Sequence, residues 1–468
     1  MPSYNKSKFA GVIGALSALL LLVPMLVAYI CALSALQPAE PAAYIGIALY
    51  VLLCYALFIA DLFIQARTVL VTFKKALILA LMLAVMPPLT LLGRAANPYV
   101  TPMLLGIMLI ATLVGERAAL SSTALLAAIA GLLGAEGDAF GIPSFTLLAV
   151  TLAGGVATTY ALRRVQTRVA IIAAGGIGAA VAALCVAAIG MLNAAPAPVL
   201  LMNIVWVILP ALLCALLVVG SLPVWENVFD VATAARLNEL LNTNQPLLKQ
   251  LMYEAPGTYQ HSMNVAALAE SAAERIGADP LLARVGACYH DVGKLRRPQY
   301  FKENQPGENI HDTLPPEESA AIILAHQRDG AIILAKNKLP GSVVRIAAEH
   351  HGNSLVAYFY YKAQSLGGEA DAKKFRYPGN RPSSREGAIV LLADCCEAAV
   401  RSLGETTKEA REELVHKVIW SKLTDGDENL LSDAPLTLSD VSEIERSFLR
   451  TFSGIMHDRI EYPEEKKA

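Results

Sequence analysis

Long apolar stretches alternate with short polar segments from the N-terminus to about residue 222. A helix needs about 20 mostly apolar residues to cross a lipid bilayer. On this basis we predict eight membrane-spanning helices, at residues 10–36, 43–65, 74–93, 99–115, 118–135, 143–162, 169–193 and 197–222. Only the segment GERA, which begins at Gly115, separates the fourth stretch from the fifth, so a count of seven stays open.

The first stretch has a second interpretation, as a secretory signal peptide. The sequence CALSALQ near its end resembles a cleavage site between small residues. The apolar run is longer than the roughly 7–15 residues of such a peptide, so we favour a spanning helix. Cleavage would leave seven spans and the same orientation of the rest of the chain.

Basic residues indicate how the helices are oriented. Short loops on the cytoplasmic side of a membrane carry an excess of Lys and Arg. With eight spans and a cytoplasmic N-terminus, Arg94 is the only basic residue of the outer loops. The inner segments carry Lys6, Lys8, Arg67, Lys74, Lys75, Arg117, Arg163, Arg164 and Arg168. The even number of spans then predicts a cytoplasmic C-terminal half.

The second half of the chain has the hydrophobic period of helices, and no alternation typical of strands persists. We therefore predict an all-α fold, with a polytopic membrane domain over 1–222 and an all-helical domain over 256–460. Residues 223–255 are predicted to form an amphipathic connecting helix, with a plain linker as the alternative. Residues 461–468 form a polar tail.

Glycines recur in the later spans, at positions 154, 155, 175, 176 and 178. They are consistent with a ligand pocket or with close packing of helices through small residues. We favour close packing, because small residues are enriched where membrane helices approach one another.

Charge divides the chain at the same place as hydropathy. Residues 1–222 hold 10 Lys and Arg and 5 Asp and Glu. The remainder of the chain holds 28 Lys and Arg and 35 Asp and Glu. The mean hydropathy of +0.48 exceeds that of ordinary soluble proteins, and all eight histidines lie in the second half. The seven cysteines form no CxxC pair, so we expect reduced thiols and no disulfide framework.

Seven metal-capable residues of the second half lie at predicted helix positions, some of them within apolar runs. Asp394, for example, is embedded in IVLLADCCEAAV, where a carboxylate is costly without a cation or hydrogen-bond partners. Imidazoles with carboxylates suit iron, manganese or zinc, and seven ligands exceed the needs of one open catalytic ion. Two ions bridged by one carboxylate are therefore expected. The seven residues are His261, His290, Asp291, His326, His350, His351 and Asp394.

Local signals predict helices around these residues. Thr258 is expected to cap the helix that carries His261. Asp279 begins a helix that we expect to end at Gly293, and a capping-box pattern over 383–386 begins the helix of Asp394.

The order H…HD…H…HH…D resembles the HD-domain phosphohydrolases. The motifs APGTYQHS, HDVGK, YFKENQ, PPEESAAIILAHQRDG, EHHG, FRYPG and SREGAIVLLADCCEAAVRSL are similar to those of the seven-transmembrane HD family of PgpH-type bacterial cyclic-di-AMP phosphodiesterases. The similarity is dense over about 223–460 and extends to the multi-span architecture before it. A large extracellular domain is common after the first span of this family, whereas here the interval is only QPAEPAA.

The resemblance implies two ions, iron or manganese, in a membrane-bound enzyme that hydrolyses cyclic-di-AMP to linear pApA. It implies one ion at His261, His290, Asp291 and Asp394, with Asp291 as the bridge. The second ion is implied at Asp291, His326, His350 and His351. Lys294 is expected to meet a phosphate and to take part in catalysis, and Arg385 is a second candidate for substrate binding. A solvated or purely structural charge is the alternative for both.

Three other functions stay open at this point. A cyclic-di-GMP phosphodiesterase of HD-GYP type would share the metal chemistry, but here HHG is not followed by Gly-Tyr-Pro. A single-metal nucleotide phosphohydrolase does not need the His350–His351 pair. A catalytically inactive membrane receptor would have lost ligands, whereas all seven residues are present. The expected partners are the cyclic dinucleotide and the bilayer, without a nucleic-acid polymer; a homodimer is compatible with the sequence.

Overall fold

The computed structural model forms two compact units, Met1–Ala235 and Arg236–Ala468. Its described residues are helical or irregular, and the only β pairing among them is an isolated bridge between Leu355 and Arg376. The predicted all-α fold is confirmed. All seven cysteines are free, as expected. The described residues are 16–17, 19–38, 40–135, 141–163, 165–367, 370–403, 407–424 and 429–455.

A helix lies in each of the eight predicted spans, and six helices within the described residues are long and apolar enough to cross a membrane. The helices of the first unit are α1 (Leu22–Leu36), α2 (Pro41–Gln65), α3 (Arg67–Val71), α4 (Phe73–Ala96), α5 (Met103–Leu113), α6 (Glu116–Leu133), α7 (Ile142–Leu162), α8 (Arg168–Leu192) and α9 (Ala197–Phe229). The two shorter apolar helices are α1 and α5. Residues 10–15 and 18 of the first predicted span lie outside the described residues.

The uncertain boundary between the fourth and fifth stretches is a real break between helices. Gly115 follows α5 and has φ = +133°, a conformation that side-chain-bearing residues rarely adopt. Its carbonyl accepts the amide of Ala119, in the first turn of α6. The two stretches are therefore separate helices, although α5 has only 11 residues.

Several glycines of the spans lie where helices approach closely. A Cβ on Gly178 of α8 would lie 1.8 Å from Thr158 Oγ1 of α7, and one on Gly154 would lie 3.1 Å from the Gly178 carbonyl. A Cβ on Gly175 would lie 2.6 Å from an alanine Cβ of α9, whereas one on Gly176 would meet nothing within 4 Å. The packing interpretation is confirmed for all of these except Gly176.

The prediction of one continuous connecting helix over 223–255 is wrong. The last membrane helix, α9, continues past residue 222 and ends at Phe229, because Asp230 adopts a left-handed conformation with φ = 52°. Two short helices follow, α10 (Ala234–Leu240) and α11 (Pro246–Glu254). Proline lacks an amide hydrogen and is suited to the first turn of a helix, which explains why α11 starts at Pro246.

The second unit consists of α-helices connected by loops and short 3-10 helices. Its further α-helices are α12 (Pro256–Ile276), α13 (Pro280–Tyr289), α14 (Pro316–Lys336), α15 (Gly341–Glu349), α16 (Ala357–Ser365), α17 (Arg385–Leu403), α18 (Lys408–Thr424) and α19 (Leu438–Ile455). The 3-10 helices are Val292–Arg296, Pro298–Tyr300, Lys302–Asn304, Ile310–Asp312 and Ala372–Phe375. α12 packs against α13, α17 and α19, and α14 packs against α15 and the 3-10 helix Val292–Arg296.

Of the three helix starts predicted from capping residues, two differ from the structure and one agrees with it. Thr258 does not cap α12, because it lies inside the helix; instead the side-chain oxygen of Asn304 accepts the amides of Gly257 and Thr258. The cap of α17 is Ser384, whose hydroxyl accepts the Gly387 amide. The start of α13 is as predicted, with the Asp279 carboxylate accepting the amide of Leu282.

α13 ends at Tyr289, before the predicted end at Gly293. Gly293 instead lies in the 3-10 helix and allows a close approach to α14. A Cβ there would lie 1.9 Å from the carbonyl oxygen of His326. The glycine therefore serves tertiary packing rather than helix termination.

Candidate metal centre

The seven predicted ligands lie together in the second unit, although they come from five separate segments. Six of them are buried, and His351 is partly buried. Three of them lie inside helices: His261 in the second turn of α12, His326 in α14 and Asp394 in α17. The other four lie just past helix ends: His290 is the C-cap of α13 and precedes Asp291, and His350 is the C-cap of α15 and precedes His351.

Asp291 lies between two groups of histidines. Its Oδ2 is 3.3 Å from His290 Nε2 and 3.7 Å from His261 Nε2. Its Oδ1 is 3.3 Å from His326 Nε2 and 3.7 Å from His350 Nε2. Each carboxylate oxygen therefore faces a different pair of imidazoles.

Asp394 completes the first group and reaches toward the second. Its Oδ1 is 3.0 Å from His261 Nε2 and 3.8 Å from His290 Nε2. Its Oδ2 is 3.5 Å from His351 Nδ1. Within the described part of the chain, two groups could each hold an ion: His261 with His290 and Asp291, and His326 with His350 and His351.

Backbone hydrogen bonds orient three of the histidines. Each donates its Nδ1–H to the carbonyl oxygen three residues earlier, at 2.7 Å for His290, 2.6 Å for His326 and 2.7 Å for His350. Because Nδ1 carries the proton in these contacts, the neutral ring presents the Nε2 lone pair to the cluster. This is the tautomer in which imidazole binds a metal through Nε2.

The donor set fits a pair of cations. His326 Nε2 and His350 Nε2 are 3.2 Å apart, and both rings already donate from Nδ1, so two lone pairs face each other. His290 Nε2 and Asp291 Oδ1 are buried without a hydrogen-bond partner. Buried polar atoms normally have partners, and a shared cation would satisfy both arrangements.

The electrostatics differ between the two groups. Burial lowers the pKa of His326 and His350 and lowers that of His351 to about 3, so these rings are neutral. Burial also opposes the charge on His290, but Asp291 and Asp394 raise the pKa of this ring to about 10. The carboxylates thus attract positive charge to the first group, and a metal ion there must compete with protons.

Both carboxylates of the cluster are ionised. Burial opposes the charge on Asp291, but the Lys294 ammonium and the His290 ring hold the pKa of that carboxyl well below its usual range. Burial likewise opposes the charge on Asp394, but the hydrogen bond from His261 and the charge of the nearby His290 ring hold the pKa of that carboxyl well below its usual range. Both residues can therefore act as anionic ligands at neutral pH.

Lys294 lies beside the cluster. Its Nζ is 2.7 Å from Asp291 Oδ2, 2.7 Å from Glu303 Oε1 and 5.0 Å from the centre of the Phe301 ring. Burial opposes its charge, but the two carboxylates raise the pKa of Lys294, so the side chain is an ammonium ion. The structure thus brings this predicted residue to the centre, within an existing ion pair.

Arg385 is not brought to the cluster. Its guanidinium donates to the Ile276 carbonyl at 2.7 Å and pairs with Asp440 at 3.1 Å, which ties α17 to the ends of α12 and α19. It precedes Asp394 by nine residues on α17, a distance of roughly 13 Å along the helix axis. These contacts favour a purely structural role for Arg385 over substrate binding.

Three further residues, which contact either the cluster or Lys294 beside it, were missed from the sequence. Glu397 accepts a hydrogen bond from His261 Nδ1, and its spacing three residues after Asp394 on one helix was a usable signal. Glu303 holds Lys294. The Tyr377 ring lies 4.3 Å from the His351 ring, centre to centre. Glu303 and Tyr377 lie in irregular or 3-10 segments, where no periodicity points to them.

Two family models match the chain. The model described as 7TM receptor with intracellular HD hydrolase matches residues 41–233, and the model described as HD domain matches residues 258–399. The second range contains all seven candidate ligands. The first range contains the six long apolar helices, which supports a multi-pass membrane protein.

The chain is also similar to named bacterial proteins. It is 47% identical over 254 residues to the cyclic-di-AMP phosphodiesterase PgpH of Bacillus subtilis (strain 168), covering 54% of this chain and 35% of that protein. It is 45% identical over 249 residues to the protein of the same name from Listeria monocytogenes serotype 1/2a (strain 10403S), covering 53% and 34%. The chain thus spans about a third of the length of these relatives.

A solved structure is similar to the second half of the chain. It is the crystal structure of the L. monocytogenes phosphodiesterase PgpH HD domain in complex with cyclic-di-AMP. The sequence identity is 44% and the TM-score 0.44, and the match covers 47% of this chain and 100% of the solved chain.

Proposed function

We propose that this chain belongs to the family of 7TM receptors with an intracellular HD hydrolase, and that it is a membrane-bound, metal-dependent phosphodiesterase that hydrolyses cyclic-di-AMP. The observation that carries this proposal is the pair of histidine groups facing opposite oxygens of Asp291. This arrangement suits two ions, which is the economical way to promote in-line displacement at a phosphate.

Residues of both groups are proposed as the metal ligands. His261, His290 and Asp394 would hold one ion together with Oδ2 of Asp291. The second ion would be held by Oδ1 of the same aspartate and by His326, His350 and His351. Imidazole and carboxylate donors suit iron or manganese, which we propose as the native metals.

Bound there, two such ions supply Lewis acidity that activates water and neutralises charge on the phosphate. The protein's own contribution is to fix the ligands: backbone carbonyls orient three of the imidazoles through Nδ1–H. We propose that Lys294, whose ammonium lies 2.7 Å from Asp291, supplies further positive charge to the phosphate. Glu303 would hold this ammonium in position from its other side.

Cyclic-di-AMP is the proposed substrate. This proposal is supported by the name of two relatives that are 45–47% identical to the chain over their matched regions. One water molecule would add to one phosphorus atom as the bond to the 3′-oxygen breaks, giving linear pApA with a free 3′-hydroxyl. The remaining phosphodiester would stay intact.

The test compares two cyclic dinucleotides. Full-length protein in detergent or lipid, loaded with manganese or iron, is offered cyclic-di-AMP and cyclic-di-GMP separately. We expect faster conversion of cyclic-di-AMP to pApA, followed by chromatography. Equal or reversed preference at matched metal content would favour a cyclic-di-GMP phosphodiesterase, and inertness of metal-loaded protein toward both would favour a receptor.

The orientation of the HD domain is also part of the proposal. We place it in the cytoplasm because the predicted inner segments carry nearly all basic residues of the first unit. A cysteine-accessibility or protease-protection experiment on inside-out and right-side-out vesicles tests this. Exposure of the second unit in right-side-out vesicles would contradict it.

A further inference from the structure

The two halves of the metal centre differ in what supports their histidines. His290, His326 and His350 each donate Nδ1–H to a neutral backbone carbonyl. His261 instead donates Nδ1–H to the carboxylate of Glu397. Of these four histidines, His261 is the one whose Nδ1–H has an anionic acceptor.

Glu397 is itself held in place. It is only 4% exposed, and its Oε1 accepts a hydrogen bond of 3.2 Å from Asn264 Nδ2. Arg401, one turn later on α17, lies 3.5 Å from Oε2. Because Asn264 is three residues after His261 on α12, the same two helices carry the imidazole, its acceptor and the residue that orients the acceptor.

An anionic acceptor strengthens a histidine ligand. It fixes the tautomer and ring orientation and draws the Nδ1 proton, which makes Nε2 a stronger donor to a cation. Loss of such a partner typically weakens metal affinity by about 10–100-fold. This effect would be confined to the half of the centre that contains His261.

The other contacts of that half have opposite effects on a cation: the Asp394 carboxylate attracts it, whereas the Lys294 ammonium repels it and is partly neutralised by Glu303. Asp394 Oδ1 is 3.0 Å from His261 Nε2, so this half has a second carboxylate besides the shared Asp291. Lys294 lies on the same side of Asp291, but Glu303 pairs with its ammonium at 2.7 Å. In the other half of the centre, His326 and His350 donate Nδ1–H to backbone carbonyls, and the carboxylate near His326 is the shared Asp291.

We propose that the two metal positions are inequivalent, with the tighter one at His261, His290, Asp394 and Asp291, and that Glu397 is the positioning residue that makes it so. The proposal rests on the two-metal function above. The ion at His326, His350 and His351 is then the more readily exchanged of the two.

The experiment is a Mn²⁺ titration of full-length protein, made metal-free by chelation and held in lipid nanodiscs. Free Mn²⁺ is followed by electron paramagnetic resonance, and bound metal by elemental analysis. Wild type should bind two ions in two affinity classes. Glu397→Gln, which keeps an acceptor but removes its charge, should weaken the tight class by about 10–100-fold and leave the weak class within about twofold.

Glu445→Gln is the matched control, because Glu445 also accepts a histidine Nδ1–H, from His416 at 2.9 Å. It makes the same change in charge on α19, away from the cluster, and both classes should be unchanged. Should Glu397→Gln not fold, Glu397→Asp shortens the acceptor while keeping its charge, and the tight class should again weaken.

Different results would overturn different proposals. If a folded Glu397 variant keeps both affinities, or loses both equally, the positions are not distinguished by Glu397 and this inference fails. If wild type binds no Mn²⁺ or a single ion, the two-metal function itself fails. Both outcomes are read from metal binding alone, without a turnover assay.

Discussion

Both proposed metal positions depend on Asp291, because its two oxygens face different pairs of histidines. Replacing it by alanine should reduce bound manganese from about two ions per chain to near zero and abolish hydrolysis. Replacing His350 by alanine removes a ligand from one group only, so about one ion should remain. Elemental analysis after desalting measures the difference. Retention of a tightly bound ion by folded Asp291→Ala would argue against a bridging role.

Gly293 permits the close contact that sets His326 against Asp291. A Cβ there would lie 1.9 Å from the His326 carbonyl oxygen and 2.5 Å from the Gly330 amide nitrogen, both of which are backbone atoms. Gly293→Ala should therefore lower the free energy of unfolding by about 1–3 kcal/mol through overpacking. It should also weaken metal binding, because the segments of two ligands move apart.

Gly307→Ala is the control for this variant, since a Cβ at Gly307 would meet nothing within 4 Å. Denaturant unfolding of both variants, with metal affinity measured in parallel, gives the comparison. Equal stability of the Gly293 and Gly307 variants would show that the close approach is not required.

At the scale of the element, the start of α12 depends on a cap supplied from another segment. The Asn304 side-chain oxygen accepts the amides of Gly257 at 3.0 Å and Thr258 at 3.1 Å, and its amide group donates to Thr258 Oγ1. Asn304→Ala leaves these amides without this acceptor, so unfolding should cost about 1–2 kcal/mol less. Because α12 carries His261, the variant should also bind metal more weakly.

Gln364→Ala provides the comparison for Asn304. It removes one exposed hydrogen bond to the Tyr360 hydroxyl, on α16, and should change stability by less than about 0.5 kcal/mol. Chemical denaturation followed by circular dichroism measures both. If Asn304→Ala is as stable as Gln364→Ala, the cap does not hold α12 in place.

At the scale of the whole molecule, the candidate metal ligands all belong to one of the two compact units. Residues 236–468 expressed alone should therefore bind metal and hydrolyse cyclic-di-AMP, and the membrane unit should localise and modulate the enzyme. Activity can respond to a signal only through differential affinity for two states of the protein. The measurement compares the isolated unit with full-length protein in lipid at equal metal content. A folded, metal-loaded but inert unit would show that the membrane helices are needed for assembly.

The sequence was sufficient for properties that depend on the local chain. The six long membrane helices follow from length and apolar composition alone, and the breaks between them follow from glycine, proline and polar residues. The seven candidate ligands could be named because imidazoles and carboxylates in apolar helices need an explanation wherever the chain folds. The order of these residues, with the surrounding motifs, also led to the HD family.

Only the tertiary structure decided which groups face one another. The division of the ligands between the two oxygens of Asp291 depends on five segments meeting, and so does the pairing of Glu397 with a histidine 136 residues away. The residue that caps the start of α12 is Asn304, not Thr258 as local rules predict. Asn304 lies 46–47 residues beyond the amides that it caps. Local signals extend over about one helical turn, whereas these contacts are set by the packing of helices distant in sequence.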